Sequence, residues 1–437
     1  MPAKYHKLIA ASGIVVLFAA FLFLSFNRHS RHEHFSWKSE IYADKAGYYI
    51  FLPATFIYGY NPVSYPDSID HKAGRGFRLD YAEGKVFTKY PYGVALLQTP
   101  FFLFTHIIAK PLGYADDGFS IIYHKMVNVA SSFYLLAGLL FLYTFLRRYA
   151  DKLTVILSLA VITLGTNLYY YGLEDTGMSH VYSFFAFSGA LFFFSAWKGS
   201  QYTSTRKLAL FAVFSGLIIA LRHINVIFLI MLFFFDLSSV TEFRIRFQKF
   251  FLSKNFFIFL GIILVFIIPQ AIYNYYLKGE ILTYLYDGEG FTNWKNPKII
   301  ELWFSPQNGL FIYNPVLLLL FAGMVVMFLQ KTPNRWLLVI LFLLISYVFS
   351  SWHMWWYGCG FGARTFVDYY PILIIPVVIL IKNINLLKTH FWVGVFWVIV
   401  GIMIVYNLIM FYNYSKCWFW GDWDWNMLVK MFNGELK

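Results

Sequence analysis

LIAASGIVVLFAAFLFLSF, residues 8–26, carries no charge over 19 positions, and SEIYADKAGYYIFLP, residues 39–53, follows it almost at once with two carboxylates, Glu40 and Asp44. An uncharged run of that length crosses roughly 30 Å of hydrocarbon as a helix. It exceeds the apolar core of an export signal, about 7–15 residues, and no small-residue cleavage site follows. The run reads as an uncleaved first span, which sets Asp44 in the first loop beyond it.

The rest of the chain repeats the pattern. Its 437 residues are 59% hydrophobic, 22% aromatic and only 13% charged, whereas a soluble domain is about 25% charged. Apolar runs fall at 8–26, 117–146, 153–170, 180–197, 208–221, 224–236, 255–274, 309–329, 336–350, 369–381 and 391–412. Backbone groups in lipid must be satisfied within the segment, so these are helices. The pair 208–221 and 224–236 is short enough to be one broken helix or two tilted ones. The expected fold is an all-α polytopic membrane protein of about 11 spans (10–12), forming a single domain over 1–412 with a short tail at 413–437.

The net charge of +13 does not indicate a nucleic-acid partner. Lys and Arg fall in short connections: Arg147, Arg148 and Lys152; Lys198, Arg206 and Lys207; Arg244, Arg246, Lys249 and Lys254; Lys331 and Arg335; Lys382 and Lys388. All five lie on one side if the N-terminus is cytoplasmic, as the positive-inside rule requires. The 27–116 loop and the tail, with its aromatic CWFWGDWDW (417–425), then lie outside. Within that loop, GVALLQTPFFLFTHIIA (93–109), interrupted by Pro100, reads as an interfacial or re-entrant helix, and 46–58 as a second one. Cys359 and Cys417 form neither a disulfide framework nor a zinc site. Two lone thiols are expected, with a single bridge left open.

The expected spans hold no acid at mid-membrane, which argues against an ion-coupled carrier, and no repeat symmetry is visible. Ionisable residues gather instead at outer helix ends. Asp44 could accept a proton from an incoming hydroxyl, or cap the helix beginning at Lys45. Glu40 reads as a solvated loop charge. Arg222 in ALRHINV, His180 and Lys89 could meet a phosphate, or serve as headgroup anchors, caps or packed groups. His106 and His124 read as structural, and Glu174 and Asp175 as capping or solvated charges. SSWHMWWYGCGFGARTFVDYYP (350–371) is the densest stretch. Trp352, Trp355 and Trp356 could stack on a sugar, Arg364 could bind phosphate, and the glycines allow close backbone approach; an aromatic interfacial belt is the alternative. No P-loop, G-x-S-x-G, H-E-x-x-H or cysteine metal pair occurs.

YPYGVALLQTPFF (90–102), LGTNLYYYGLEDTGMSH (164–180), FSPQNGLFIYNPVLLL (304–319) and GFGARTFVDYYP (360–371), behind an acidic first loop, together resemble bacterial GT-C class membrane glycosyltransferases. The glycosyltransferase family 39-like enzymes are the relatives in view, among them protein O-mannosyltransferases and the aminoarabinose transferase of lipid A. The resemblance runs over about residues 8–412 and rests on the order of these stretches. It implies a multi-pass protein of the bacterial inner membrane, acting in the cell envelope with an extracytoplasmic site. It further implies a polyprenyl-phosphate sugar donor and a lipid, glycan or protein acceptor. Asp44 would be the catalytic acid of the first loop. Arg222, Arg364, Lys89 and His180 would bind donor phosphate, and Tyr48, Tyr90, Trp352, Trp355 and Trp356 would line the sugar and acceptor. Many members carry two adjacent acids in that loop, whereas Asp44 has only Glu40 four residues away, and the pairs Asp116-Asp117 and Glu174-Asp175 come later. The identity of the base and the need for a divalent metal stay open on that account. The alternatives are a lipid-linked oligosaccharide flippase or a non-catalytic membrane scaffold, and a polysaccharide ligase or polymerase.

Overall fold

The protein is described by a computed structural model over residues 3–286, 288–414 and 424–436, with the side chains of 3–10 and 70 left aside. It is overwhelmingly helical. Six helices are long and apolar enough to cross a membrane: Ala11–His29, Ile121–Leu146, Ser179–Gly199, Lys254–Lys278, Arg364–Asn385 and His390–Asn413. Shorter apolar helices stand among them at Gly93–Ala109, Lys152–Leu164, His223–Phe233, Pro315–Leu329 and Arg335–Ser350.

Local chemistry sets where these elements start and stop. Asp151 caps Lys152–Leu164 through the Leu153 and Thr154 amides, and Ser204 and Ser253 cap Thr205–Leu221 and Lys254–Lys278 in the same way. Gly279, at φ 71, ends the last of these in the left-handed conformation. Two expected spans are broken. The 153–170 run stops at Leu164 and resumes only at Leu168–Leu173, and the 309–329 run divides at Asn314-Pro315. Both breaks lie at asparagines that become structural links near the site.

Packing is graded from a buried centre to a lipid-facing rim. Arg364–Asn385 is almost wholly enclosed, while His390–Asn413 and Lys254–Lys278 bury little of their surface. The exposed side chains of Lys254–Lys278, such as Phe257, Val265 and Ile272, suit hydrocarbon rather than water. Ser179–Gly199 packs against Ile121–Leu146 on one side and Thr205–Leu221 on the other.

The first loop is a folded unit. It contains a two-stranded antiparallel ribbon, Arg78–Asp80 with Lys85–Phe87, in which Leu79 faces Val86. This small sheet departs from the all-α expectation. Tyr273 and Tyr276 pin the ribbon to the end of Lys254–Lys278: the Tyr273 hydroxyl donates to the Val86 carbonyl and receives the Thr88 amide, and the Val86 amide donates to Tyr276. Gly93–Ala109 is helical as expected, with Phe104 and Ile107 exposed on one face and Phe102 and Ala109 buried on the other. The 46–58 segment is helical too, but Ala46 through Ala54 is buried against the rest of the loop. It is packed into the loop over 46–54, with Thr55 and Phe56 exposed at its end. No free cysteine occurs among the described residues, which corrects the lone thiol expected at Cys359. Cys417 and most of the aromatic tail motif lie outside them. Beyond, helix Trp425–Phe432 folds back on His390–Asn413, with Phe432 stacked on Tyr406.

Candidate functional site

Asp44 opens a short helix, Asp44–Tyr49, and does not cap it: Ala43 holds the cap position with no side-chain hydrogen bond. The capping reading therefore fails. The carboxylate turns toward Arg364, whose Nη2 donates to Oδ2 at 3.3 Å. Asp44 keeps 43% of its side-chain surface exposed, and Arg364 only 16%. Burial works against the Asp44 charge, but Arg364, a hydrogen bond from Tyr90 and the nearby Lys89 outweigh it and hold the carboxyl below its usual range.

The backbone at this corner is strained. Ala43 has φ 49 and ψ −129, a region that favours glycine and costs a residue with a Cβ about 1–3 kcal/mol. It is held there by its amide, bonded to the Ala73 carbonyl at 2.9 Å, and by its carbonyl, which accepts from Gly47 at 3.2 Å. Gly76 permits this approach, because a Cβ on it would lie 1.9 Å from the Ala43 carbonyl oxygen.

The opposite wall is a knot around a residue that the sequence reading did not single out. Asp368 is fully buried. His180 Nδ1 lies 2.9 Å from its Oδ1, while Arg222 and Asn225 donate to Oδ2 at 3.1 and 2.9 Å. Asp368 was legible as a carboxylate four residues beyond Arg364, at the mouth of a span otherwise free of acids, where an ionisable group marks function or tight pairing. The two walls meet through tyrosines. The Tyr48 ring packs on Tyr90 at 4.5 Å, and Ser179, beside His180, donates to the Tyr48 hydroxyl at 3.3 Å. The structure thus brings Asp44, Arg364, Tyr90, Tyr48, His180 and Arg222 into one contiguous cluster.

The remaining expected residues are placed less directly. Lys89 is ion-paired to Glu289 and lies over the rings of Tyr90 and Tyr286, so its charge is already committed. Trp352 packs on Phe291 and Tyr286, reaching Tyr90 only through Tyr286. Trp355 and Trp356 pack on each other at 5.5 Å. Glu40 is not a solvated charge. It is buried between His29 and His124, with Asn128 donating at 2.6 Å. Glu174 and Asp175 are buried as well, on Arg28 and Lys45 at 2.8 Å each. Asp117 is paired to Lys72 and caps Phe119 and Ser120, and His106 is 2.7 Å from the Tyr123 hydroxyl.

The helix breaks hold the loop that leads into Arg364. Asn167 receives the Tyr370 hydroxyl at 2.6 Å and donates to the Phe361 carbonyl at 3.0 Å. Asn314 accepts the Asn167 amide at 2.6 Å, and Asn308 donates to the Trp356 and Gly358 carbonyls. Interrupted helices are tolerated in membranes where other groups satisfy the freed backbone, and here the interruptions aim a loop.

A resident metal does not fit this set of groups. No three His, Cys, Asp or Glu side chains are grouped to hold one among the described residues. The acids near Asp44 are each neutralised by a fixed cation: Arg364, Lys45 and Arg28.

No family model matches the chain, and no curated protein matches it. Solved structures do. The archaeal oligosaccharyltransferase AglB from Archaeoglobus fulgidus, in complex with an inhibitory peptide and a dolichol-phosphate, aligns over 96% of this chain at 14% identity and a TM-score of 0.50. The Archaeoglobus fulgidus oligosaccharyltransferase in complex with Zn and sulfate aligns over 94%, at 13% identity and 0.51. The chain covers 57% and 54% of those proteins' lengths. At this identity the likeness shows the fold, a GT-C-like helical membrane architecture.

Proposed function

We propose that this chain is an integral-membrane glycosyltransferase that moves a sugar or glycan from a polyprenyl-phosphate-linked donor to an acceptor, with Asp44 as the base. The observation that carries the reading is Asp44 itself: half-open, released from any capping duty, and set on a strained corner 3.3 Å from a mostly buried guanidinium. Support for the donor and acceptor classes comes from the fold, since the AglB structure holds a dolichol-phosphate and a peptide. Protein is accordingly the acceptor favoured here. The proposed active face is the one bearing the first loop, and the basic connections support an extracytoplasmic position for it, in keeping with a proposed bacterial inner-membrane location.

In this mechanism the acceptor oxygen or nitrogen attacks the anomeric carbon and the bond to the lipid phosphate breaks, its electron pair leaving with the phosphate. The acceptor proton passes to Asp44. Arg364 and Arg222 stabilise charge on the departing phosphate, an effect that fixed cations exert strongly where water is scarce. Tyr48, Tyr90 and Trp352 border the sugar. With its carboxyl held low, Asp44 is a weak base that is fully ionised at neutral pH. Its contribution is therefore orientation as well as proton acceptance.

The test is transfer from a radiolabelled polyprenyl-phosphate sugar pool to peptide and lipid acceptors, using folded variants at matched amounts. Asp44→Asn keeps the size and removes the base, so transfer falls by about 10²–10⁴-fold. Arg364→Ala raises donor KM and lowers kcat together. Full transfer by Asp44→Asn rules out Asp44 as base, and the absence of transfer by the native chain to any acceptor favours a flippase or scaffold.

A further inference from the structure

A cavity of about 360 Å³ with several cationic and imidazole side chains in its wall lies where two spans emerge. Phe26 near the end of the first helix and Ile121 at the start of Ile121–Leu146 border it, and its wall carries His29, His32, His34, Lys38 and Lys125. None of the groups clustered on Asp44 lines it.

Glu33 and Glu40 are the acids that line it; Glu40 is saturated by His29, His124 and Asn128, and Glu174, just behind the wall, meets His32 and Lys38. One imidazole is left incomplete. The Nε2 atom of His29 is buried without a hydrogen-bond partner and the His29 side chain is only 8% exposed, whereas His32, 6.5 Å away ring to ring, has Glu174 at 3.7 Å from its Nε2. A buried polar atom without a partner is costly, so such atoms mark a ligand or strain. Lys125 is exposed and makes no ion pair or hydrogen bond among the described residues. Ile121–Leu146 also begins here with no side-chain cap, leaving first-turn amides and the positive end of a 26-residue helix at the cavity. Burial draws Lys38 down to about 8, and its ammonium is already shared between Glu174 at 3.9 Å and the Tyr414 carbonyl at 3.3 Å, so Lys125 is the free cation of the wall among the described residues.

We propose that this cavity binds a phosphate group, carried by an anionic lipid headgroup or free in solution. Cationic side chains, imidazole N–H groups and a helix N-terminus are the donors that phosphate oxygens accept from. The ends of the two bordering spans put the cavity at headgroup depth. The inference stands apart from glycosyl transfer, and its test needs no turnover.

The full chain is placed in nanodiscs of phosphatidylcholine, with or without phosphatidylglycerol, and inorganic phosphate is titrated separately. Retained lipid is read by native mass spectrometry, and phosphate by the imidazole NMR signals. Saturable phosphatidylglycerol retention alone identifies a headgroup site, and phosphate saturation as well identifies one open to free anion; either supports the proposal. Lys125→Glu, at an exposed position that leaves folding intact, weakens binding about tenfold or more, the worth of a charged hydrogen bond. His32→Gln weakens it less. No preference for phosphatidylglycerol together with no phosphate saturation overturns the proposal, as does unchanged binding by Lys125→Glu. Saturable Zn²⁺ binding in place of both anions overturns it too.

Discussion

Asp44 and Asp368 face arginines on opposite walls of one cluster and are built for opposite purposes. Asp368 has no exposed surface, and His180, Arg222 and Asn225 occupy its oxygens. Asp44 keeps 43% of its side chain open, with a single ion pair at 3.3 Å. A saturated carboxylate has nothing left to offer a substrate. It orients the imidazole and guanidinium that hold it. A carboxylate with spare lone pairs can take up a proton. The number of partners, more than the charge or the nearness to the centre, separates the acid that builds the site from the acid proposed to act in it.

The sharpest way to break that contrast is to delete the buried member. Asp368→Ala strands Arg222 and His180 in an enclosed space, and breaking a buried pair from one side costs about 3–5 kcal/mol. The variant should lose most of its folded yield and its melting transition in detergent, and transfer should fall with the folded amount. Asp44→Asn should leave that transition within about 1 kcal/mol of native, since exposed ion pairs contribute little. If Asp368→Ala melts like the native chain while Asp44→Asn collapses, the two roles are reversed.

The corner beneath Asp44 offers a second test. A methyl at Gly76 would lie 1.9 Å from the Ala43 carbonyl oxygen, and backbone cannot yield as a side-chain tip can. Gly76→Ala should cost about 1–3 kcal/mol, as overpacking does. By shifting Ala43 it should also displace Asp44, so that specific transfer per folded molecule drops. Unchanged specific transfer would mean that the position of Asp44 does not depend on this contact.

The membrane class and the apolar runs that become helices were legible, and Asp44, Arg222, His180 and Arg364 stood out as residues, because apolar runs and stray charges are local signals. The pairings were not. Glu40 and Glu174 read as solvated because partners that bury them lie far off in sequence, 84 and 146 residues away at His124 and Arg28, and the nearer His29 meets Glu40 only once the first loop folds back. Asp368 stood in plain view among aromatics, but the expected span began one residue after it. The breaks at Asn167 and Asn314 were hidden inside runs apolar enough to be one helix, since hydropathy averages over a lone asparagine. Lys89 lies over the Tyr90 ring, but its pairing to Glu289, 200 residues on, was not legible either.

Those buried loop acids, like Asp44 itself, give a pH signature at the acid end. Burial opposes their charge, but His29 for Glu40, and His32 with Arg28 for Glu174, hold both carboxyls below the usual range. A depressed carboxyl stabilises the fold above its unfolded pKa, and that stability is lost as pH falls through the folded value. The contribution of these acids to the melting midpoint should therefore stay flat from about pH 7 to 5 and fall below about 4.5, near the ordinary glutamate value. Glu174→Gln should start lower and decline less steeply with acid. A midpoint that already drops between pH 7 and 5 would assign the dependence to histidines instead.

The smallest expected effect bears on why the acting acid sits on a strained residue at all. Ala43→Gly removes only a methyl, at φ 49 and ψ −129, where glycine is at ease. Relief of strain favours the folded state, while the greater freedom of glycine favours the unfolded one, about 0.4–1 kcal/mol in the opposite sense. The two nearly cancel, so the net change should be a stabilisation of about 1 kcal/mol or less, seen as a slight rise in melting midpoint. Transfer is the more informative reading. If the methyl helps to fix the direction in which Asp44 leaves the chain, the variant should be as stable as native or more so, yet slower by a few-fold. A variant both more stable and equally fast would make the strain incidental, and the Gly76 contact would then position Asp44 without help from Ala43.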